Sequence, residues 1–255
     1  MESVKTTLQV DRRDSFAMVT LRQSDLNGAA LDELLRAFAD LQNDASVRVV
    51  LLTGIEEFFA AGSELNGLSP EQVRIFSLKG QALTRLIENL GKPVIAAING
   101  LVSGSGSDLA LACAWRIATP NAAFAYFETS SSLLPAFGGA TRLSKIIGKA
   151  RALELLLTGE SLSANDALRI GLVNRIVSST DDLLPSCETL ARQISRNAPL
   201  AVKFAMETVN FAAETSLDDG LRLESSLFGL CFATEDFEEG TNAFLEKRQP
   251  VFKGG

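Results

Sequence analysis

Two stretches of small residues hold the first readable chemistry. Phe59-Ala60-Ala61-Gly62-Ser63-Glu64-Leu65 follows the apolar run Val47 to Leu52 and a Thr53-Gly54 turn. Asn99-Gly100-Leu101-Val102-Ser103-Gly104-Ser105-Gly106-Ser107-Asp108-Leu109 follows a second apolar run, Val94 to Ile98. Small side chains let backbone approach a ligand closely, and a helix beginning near Ser63 or after Gly104 would present free amide hydrogens. Two such strand–loop–helix junctions can aim two N–H groups at one oxygen. That arrangement stabilises negative charge on a carbonyl, as an oxyanion hole does. Taken alone, a Gly/Ser loop between strand and helix also serves as a plain tight turn. A phosphate cradle is a poorer reading of Gly104-Ser105-Gly106. The third glycine of the dinucleotide fingerprint is missing, as is a Gly-Lys-Ser/Thr ending.

Histidine is absent from all 255 residues. This removes Ser-His-Asp and Cys-His catalysis, a histidine general base and most zinc sites. Catalysis must therefore rest on carboxylates, backbone amides, hydroxyls, lysine or tyrosine. The three cysteines, Cys113, Cys187 and Cys231, are far apart within apolar helical patterns, and read as reduced core residues without a metal role. With 24 Lys+Arg against 31 Asp+Glu, the net charge is −7, which argues against a nucleic-acid partner. No apolar run is long enough for a membrane span, and the N-terminus lacks a signal-peptide pattern, so a cytoplasmic location is expected.

The elements that must position these junctions follow from periodicity. Leu8 to Arg12 and Phe16 to Leu21 read as a hairpin, Val47 to Leu52 and Val94 to Ile98 as buried strands. Leu31 to Leu41 and Glu71 to Leu90 have helical spacing, the latter closed by Gly91 and Pro93. The helix after Gly106 is expected to run through Leu111, Cys113 and Trp115. Beyond Thr141 helices dominate. Arg142 to Ile147, Ala150 to Leu157 and a helix capped at Ser163 precede a short strand, Leu172 to Val177. Asp181 to Ser195, Leu200 to Glu214, Leu217 to Phe232 and Glu235 to Lys247 complete a helical third. The fold class is α/β, with repeated strand–strand–helix units and a helical tail.

Several segments together resemble the crotonase (enoyl-CoA hydratase/isomerase) family. Val49-Val50-Leu51-Leu52-Thr53-Gly54, the Ala60-Ala61-Gly62 segment and Lys92-Pro93-Val94-Ile95-Ala96-Ala97-Ile98-Asn99-Gly100 match its signature in order and spacing. Pro135-Ala136-Phe137-Gly138-Gly139-Ala140-Thr141-Arg142-Leu143 is similar to its Pro-x-x-Gly-Gly-x-x-Arg-Leu segment. Leu157-Thr158-Gly159-Glu160, Ala167 to Val173 and Ala243 to Arg248 extend the likeness over practically the whole chain. The resemblance implies a crotonase-type spiral of ββα units over residues 1–195. A helical C-terminal region, 196–255, would serve trimerisation and the CoA cleft.

The same resemblance implies an acyl-CoA thioester substrate whose carbonyl oxygen meets the backbone amides of Ser63 and Ser105. One such donor is worth about 3–4 kcal/mol in rate. Family hydratases hold one water between two glutamates, which fall here at Asp108 and Glu128. One carboxylate would take a proton from water while the other supplies one to the α-carbon. Two positions depart from the pattern: Ser105 stands where glycine is usual, and Asp108 is one methylene shorter than glutamate. CoA and substrate contacts are expected from Leu26, Ala61, Gly62, Leu65 and Gly104, and from Phe244 and Lys247 of a neighbouring subunit. Phe127, Leu134 and Phe137 could supply an apolar wall, and Ser103, Ser105, Ser107 and Ser130 to Ser132 hydroxyls. No metal and no cofactor beyond the substrate's own CoA are expected, and the assembly would be a homotrimer or a hexamer. The leading expectation is hydration of a 2-enoyl-CoA. Double-bond isomerisation by a single glutamate is one alternative, and a non-catalytic CoA-binding homologue another. The dienoyl-CoA isomerase branch carries a further aspartate where Ala136 stands.

Overall fold

The computed structural model describes residues 7–62 and 65–255, so Ser63 lies outside the described residues. The hairpin is present as β1 (Leu8–Arg13) and β2 (Phe16–Leu21), antiparallel with Leu8 opposite Leu21. Helix α1 (Gly28–Asn43) starts at an Asn27 cap whose side chain accepts from the Ala30 amide, four residues before the apolar spacing begins at Leu31. Strands β3 (Val49–Thr53) and β4 (Phe58–Ala60) lead to α2 (Pro70–Glu88). A reciprocal Ser69–Gln72 capping box and Pro70 at the first position set that helix start. This is the helix expected over Glu71 to Leu90, while the helix start expected near Ser63 lies outside the described residues.

Strands β5 (Val94–Ile98) and β6 (Leu101–Ser103) run into α3 (Ser105–Leu111). The expected continuation of α3 through Trp115 does not occur. Trp115 opens β7 (Trp115–Ala118), pairing in parallel with Ile95, and is followed by β8 (Ala123–Ala125). Next come α4 (Gly139–Ile147), α5 (Lys149–Thr158), β9 (Leu162–Ser163), α6 (Ala164–Arg169) and β10 (Arg175–Ile176). Four helices close the chain: α7 (Leu183–Ile194), α8 (Pro199–Ala212), α9 (Leu217–Phe232) and α10 (Glu235–Glu246).

Among the described residues the strands form two sheets, ordered β1-β2-β3-β5-β7-β10 and β4-β6-β8-β9. The pairs β3–β4, β5–β6 and β7–β8 each give their first strand to the larger sheet and their second to the smaller. Successive units therefore stack as a spiral. Both faces of the larger sheet are buried, which explains the near-continuous apolar runs of β3 and β5. Val50 and Leu52 face the core between the sheets, while Val49 and Leu51 pack on Cys187 and Ala191 of α7. This parallel stacking brings the ends of β4, β6 and β8 side by side, and there the chemistry-bearing junctions meet.

Candidate active site

Gly104 joins β6 to α3 with φ 53 and ψ −130, a backbone shape that glycine alone adopts without strain. A Cβ on it would sit 2.8 Å from Gly62 Cα. The neighbouring Gly106 amide donates to the Ala61 carbonyl at 3.2 Å, and the Ala61 amide donates to the Ser24 carbonyl at 2.7 Å. A Cβ on Gly106 would lie 2.2 Å from the Ala60 carbonyl oxygen. Small residues are thus needed on both sides of this contact, and the two junctions read in the sequence are adjacent in space.

Glu128 reaches the same place from the turn after β8. Its carbonyl accepts from the Ser131 amide at 3.0 Å and the Leu133 amide at 2.8 Å, which fixes the turn. Neither carboxylate oxygen has a hydrogen-bond partner among the described residues, although both are shielded from solvent. Burial pushes the Glu128 carboxyl above its ordinary range; its own amide pulls it down more weakly. A shielded, unpaired carboxylate costs on the order of 1–3 kcal/mol or more, so it is expected where a ligand or water will complete it.

A cavity of about 210 Å³ surrounds this acid. Of the residues expected at the site, Gly62, Leu65, Gly104, Ser105 and Glu128 line it together, with Phe127 and Leu134 on its apolar side. Phe76, Ser103, Ser131, Leu133 and Ala136 complete the lining. Phe76 on α2 had no signal beyond an ordinary core position of an amphipathic helix. Phe137, expected in the wall, stands one layer behind it, fully buried, with its ring centroid 5.2 Å from that of Phe76. Leu26 is likewise buried, within the core between the sheets.

Asp108 is near but differently engaged. It is fully buried and is not among the cavity-lining residues. Its Oδ2 accepts from the Phe137 amide at 2.7 Å, while Oδ1 has no hydrogen-bond partner among the described residues. Burial pushes its carboxyl up to about 7, the charge of Glu128 adds to the rise, and the Phe137 and Gly139 amides oppose it. The structure therefore brings Asp108 within electrostatic reach of Glu128, with its carboxylate bound to the 137–139 turn.

Phe244 and Lys247 do not reach this cavity in the same chain. Phe244 is 82% exposed and borders a separate apolar hollow of about 440 Å³, with Leu200, Phe237 and Phe252. Lys247 caps α10 in the left-handed conformation. No cluster able to hold a metal ion occurs among the described residues, and no helix there is long and apolar enough to cross a membrane.

Comparison with known proteins follows the same geometry. The Bacillus anthracis enoyl-CoA hydratase superposes with a TM-score of 0.94 at 35% identity, over 98% of this chain and all of that one. The short-chain-enoyl-CoA hydratase of Clostridium acetobutylicum is 37% identical, covering 94% of this chain and 95% of its own. The crotonyl-CoA hydratase of Syntrophomonas wolfei is 39% identical, over 89% and 88%. The enoyl-CoA hydratase/isomerase family model matches residues 11–255. With a match over this span and relatives of this identity and coverage, the chain belongs to the enoyl-CoA hydratase/isomerase family.

Proposed function

We propose that this protein hydrates a short 2-enoyl-CoA to the 3-hydroxyacyl-CoA. The observation that carries the reading is the shielded Glu128 carboxylate, unpaired among the described residues, on a small cavity formed where the two glycine-bearing junctions meet. The thioester carbonyl oxygen would lie against the amides of Ser63 and Ser105. Glu128 takes a proton from water as the water oxygen bonds to C3. The electrons of the double bond move toward the thioester, giving an enolate held by those amides. Glu128 then delivers a proton to C2. Water supplies both added groups, so no cofactor beyond the substrate's CoA is used.

Short acyl groups are favoured because the cavity, at about 210 Å³, is below the roughly 300–1,000 Å³ usual for small-molecule sites. Phe76, itself backed by Phe137, closes part of it. The names of the Clostridium and Syntrophomonas relatives agree with this choice.

Isomerisation of a 3-enoyl-CoA is the second reading, favoured by the engagement of Asp108 with the 137–139 turn, which leaves Glu128 as the one acid lining the cavity among the described residues. Crotonyl-CoA and a 3-enoyl-CoA, followed by ultraviolet absorbance, separate the two. Loss of conjugation from crotonyl-CoA supports hydration, and conjugation appearing from the 3-enoyl substrate alone supports isomerisation. The helical region from residue 196 carries exposed Phe228, Phe232, Phe244 and Leu245. We assign this apolar surface to contacts between copies in a homotrimer or hexamer, with Phe244 and Lys247 reaching a neighbour's CoA cleft. Light scattering that gives a mass other than three or six times 27.3 kDa would refute that assembly.

A further inference from the structure

We infer that the acyl group this cavity takes carries a neutral hydroxyl next to its double bond, held by the hydroxyls of Ser103 and Ser131, in place of a plain alkyl end. This deepens the proposed hydration, and rests on it, by naming a 4-hydroxy-2-enoyl thioester as the substrate class.

Most hydroxyls around Glu128 are engaged within the chain. Thr129 Oγ1 donates to the Leu156 carbonyl at 2.6 Å, and Ser130 Oγ to the Phe127 carbonyl at 2.7 Å. Ser77 Oγ donates to the Ala136 carbonyl at 2.6 Å, and Thr84 Oγ1 to the Phe137 carbonyl at 2.9 Å. These groups fix the walls. Ser103 and Ser131 differ: both line the cavity, and neither hydroxyl has a hydrogen-bond partner among the described residues.

Their placement follows from the elements that carry them. Ser103 ends β6, where strand alternation sends Val102 into the core between the sheets and Ser103 to the other side. Ser103 is 8% exposed, so its hydroxyl is removed from bulk water as well as unpaired. A Cβ on Gly104, the next residue, would lie 3.9 Å from Glu128 Oε1. Ser131 belongs to the Glu128 turn itself, its amide donating to the Glu128 carbonyl at 3.0 Å. The two hydroxyls therefore come from the two segments that flank the acid, while Leu65, Phe76 and Ala136 supply apolar lining.

An alkyl end seated there strips water from both hydroxyls and returns no bond, the costly side of the hydrogen-bond balance. An alcohol donates to one serine and accepts from the other, since every hydroxyl can do both. The same lining sets its charge. No lysine or arginine lines the cavity among the described residues, so a carboxylate would meet Glu128 with no cation to offset it. An ammonium would pair with Glu128 and occupy the base that hydration needs. Glu128 also sets the position: groups flanking the acid that works at C2 and C3 reach the adjoining carbon, C4.

Two thioesters test this, (E)-4-hydroxy-2-butenoyl-CoA and (E)-2-pentenoyl-CoA, which differ in a hydroxyl for a methyl at the chain end. Loss of conjugation gives kcat/KM for each with the wild type, Ser103→Ala and Ser131→Ala. The wild type is expected to favour the hydroxylated thioester by about tenfold or more, because a pocket that bonds a substrate hydroxyl rejects the analogue lacking it. Ser103→Ala is expected to lower that ratio by about tenfold and Ser131→Ala to lower it less; comparing ratios cancels the intrinsic reactivity of the two thioesters. A wild type that treats the two alike, or favours the pentenoyl thioester, would overturn the inference. So would a Ser103→Ala protein that slows both equally, which would give the hydroxyl to the reacting water. If Ser103→Ala fails to fold, the wild-type ratio and Ser131→Ala, at an exposed turn position, decide. A wild type that hydrates neither thioester would refute the functional reading, and their calorimetric Kd values, expected to differ about tenfold in favour of the hydroxyl, would still judge this one.

Discussion

Replacing Gly104 with alanine tests whether the meeting of the two junctions is what makes the site. Two costs can be worked from the structure. The residue holds φ 53 and ψ −130, where a side-chain-bearing residue pays ~1–3 kcal/mol of strain. The new Cβ would lie 2.8 Å from Gly62 Cα, a backbone atom that cannot rotate away. Since carbon atoms rest at ~3.5–4.0 Å, Gly62 must retreat by about 1 Å. A displacement of that size at reacting groups costs about a hundredfold in rate. The strain alone should lower Tm by roughly 2–12 °C in a chain of this size. Crotonyl-CoA turnover and a thermal melt, measured on the same preparation, should show a loss of activity near a hundredfold in protein that is still folded at the assay temperature. Turnover within threefold of wild type would refute the reasoning, because the junction contact could then not be positioning the thioester.

Asp108 also predicts a pH dependence of stability. Its carboxyl is raised from 3.8 to about 7 in the folded chain. Below the unfolded value both states are protonated; as pH climbs toward 7 the unfolded chain ionises first, so stability falls by up to about 4 kcal/mol. Asp108→Asn should therefore gain stability at pH 8 and little at pH 4, and urea melts with the same pH slope in both proteins would contradict this. Phe76→Ala should widen the cavity toward longer acyl groups. Each extra buried CH₂ is worth ~0.8 kcal/mol, so kcat/KM for 2-octenoyl-CoA relative to crotonyl-CoA should rise by about tenfold or more. An unchanged ratio would remove Phe76 from the acyl wall.

Much of this architecture was legible in the chain because its signals are local. The hairpin, β5 and α9 follow apolar periodicity with clear boundaries, and Leu217–Phe232 is a helix from end to end as expected. The second sheet was largely illegible: β4, β6, β8 and β9 are two or three residues long, too short for any alternation to register. They are strands because their neighbours in the spiral are. Trp115 was misplaced for a related reason. Apolar residues at Leu111 and Cys113 extend a helical pattern that α3 does not follow, since Trp115 must pair beside Ile95. At the site, the junction glycines and Glu128 could be marked from residue type and family likeness. The direction of the Asp108 side chain could not, because it depends on the Phe137 amide, 29 residues away. Phe76 was invisible as a site residue, being one more apolar position on a helix whose neighbour happens to be a cavity.

Glu128 is the residue we propose to perform the proton transfers of hydration. Crotonyl-CoA turnover by the wild type and by Glu128→Gln tests it most directly. The wild type is expected to remove the conjugated double bond and form 3-hydroxybutyryl-CoA, and the variant to be slower by about 10²–10⁴-fold while binding butyryl-CoA as tightly. A Glu128→Gln protein retaining hydration within tenfold of wild type would contradict the claim.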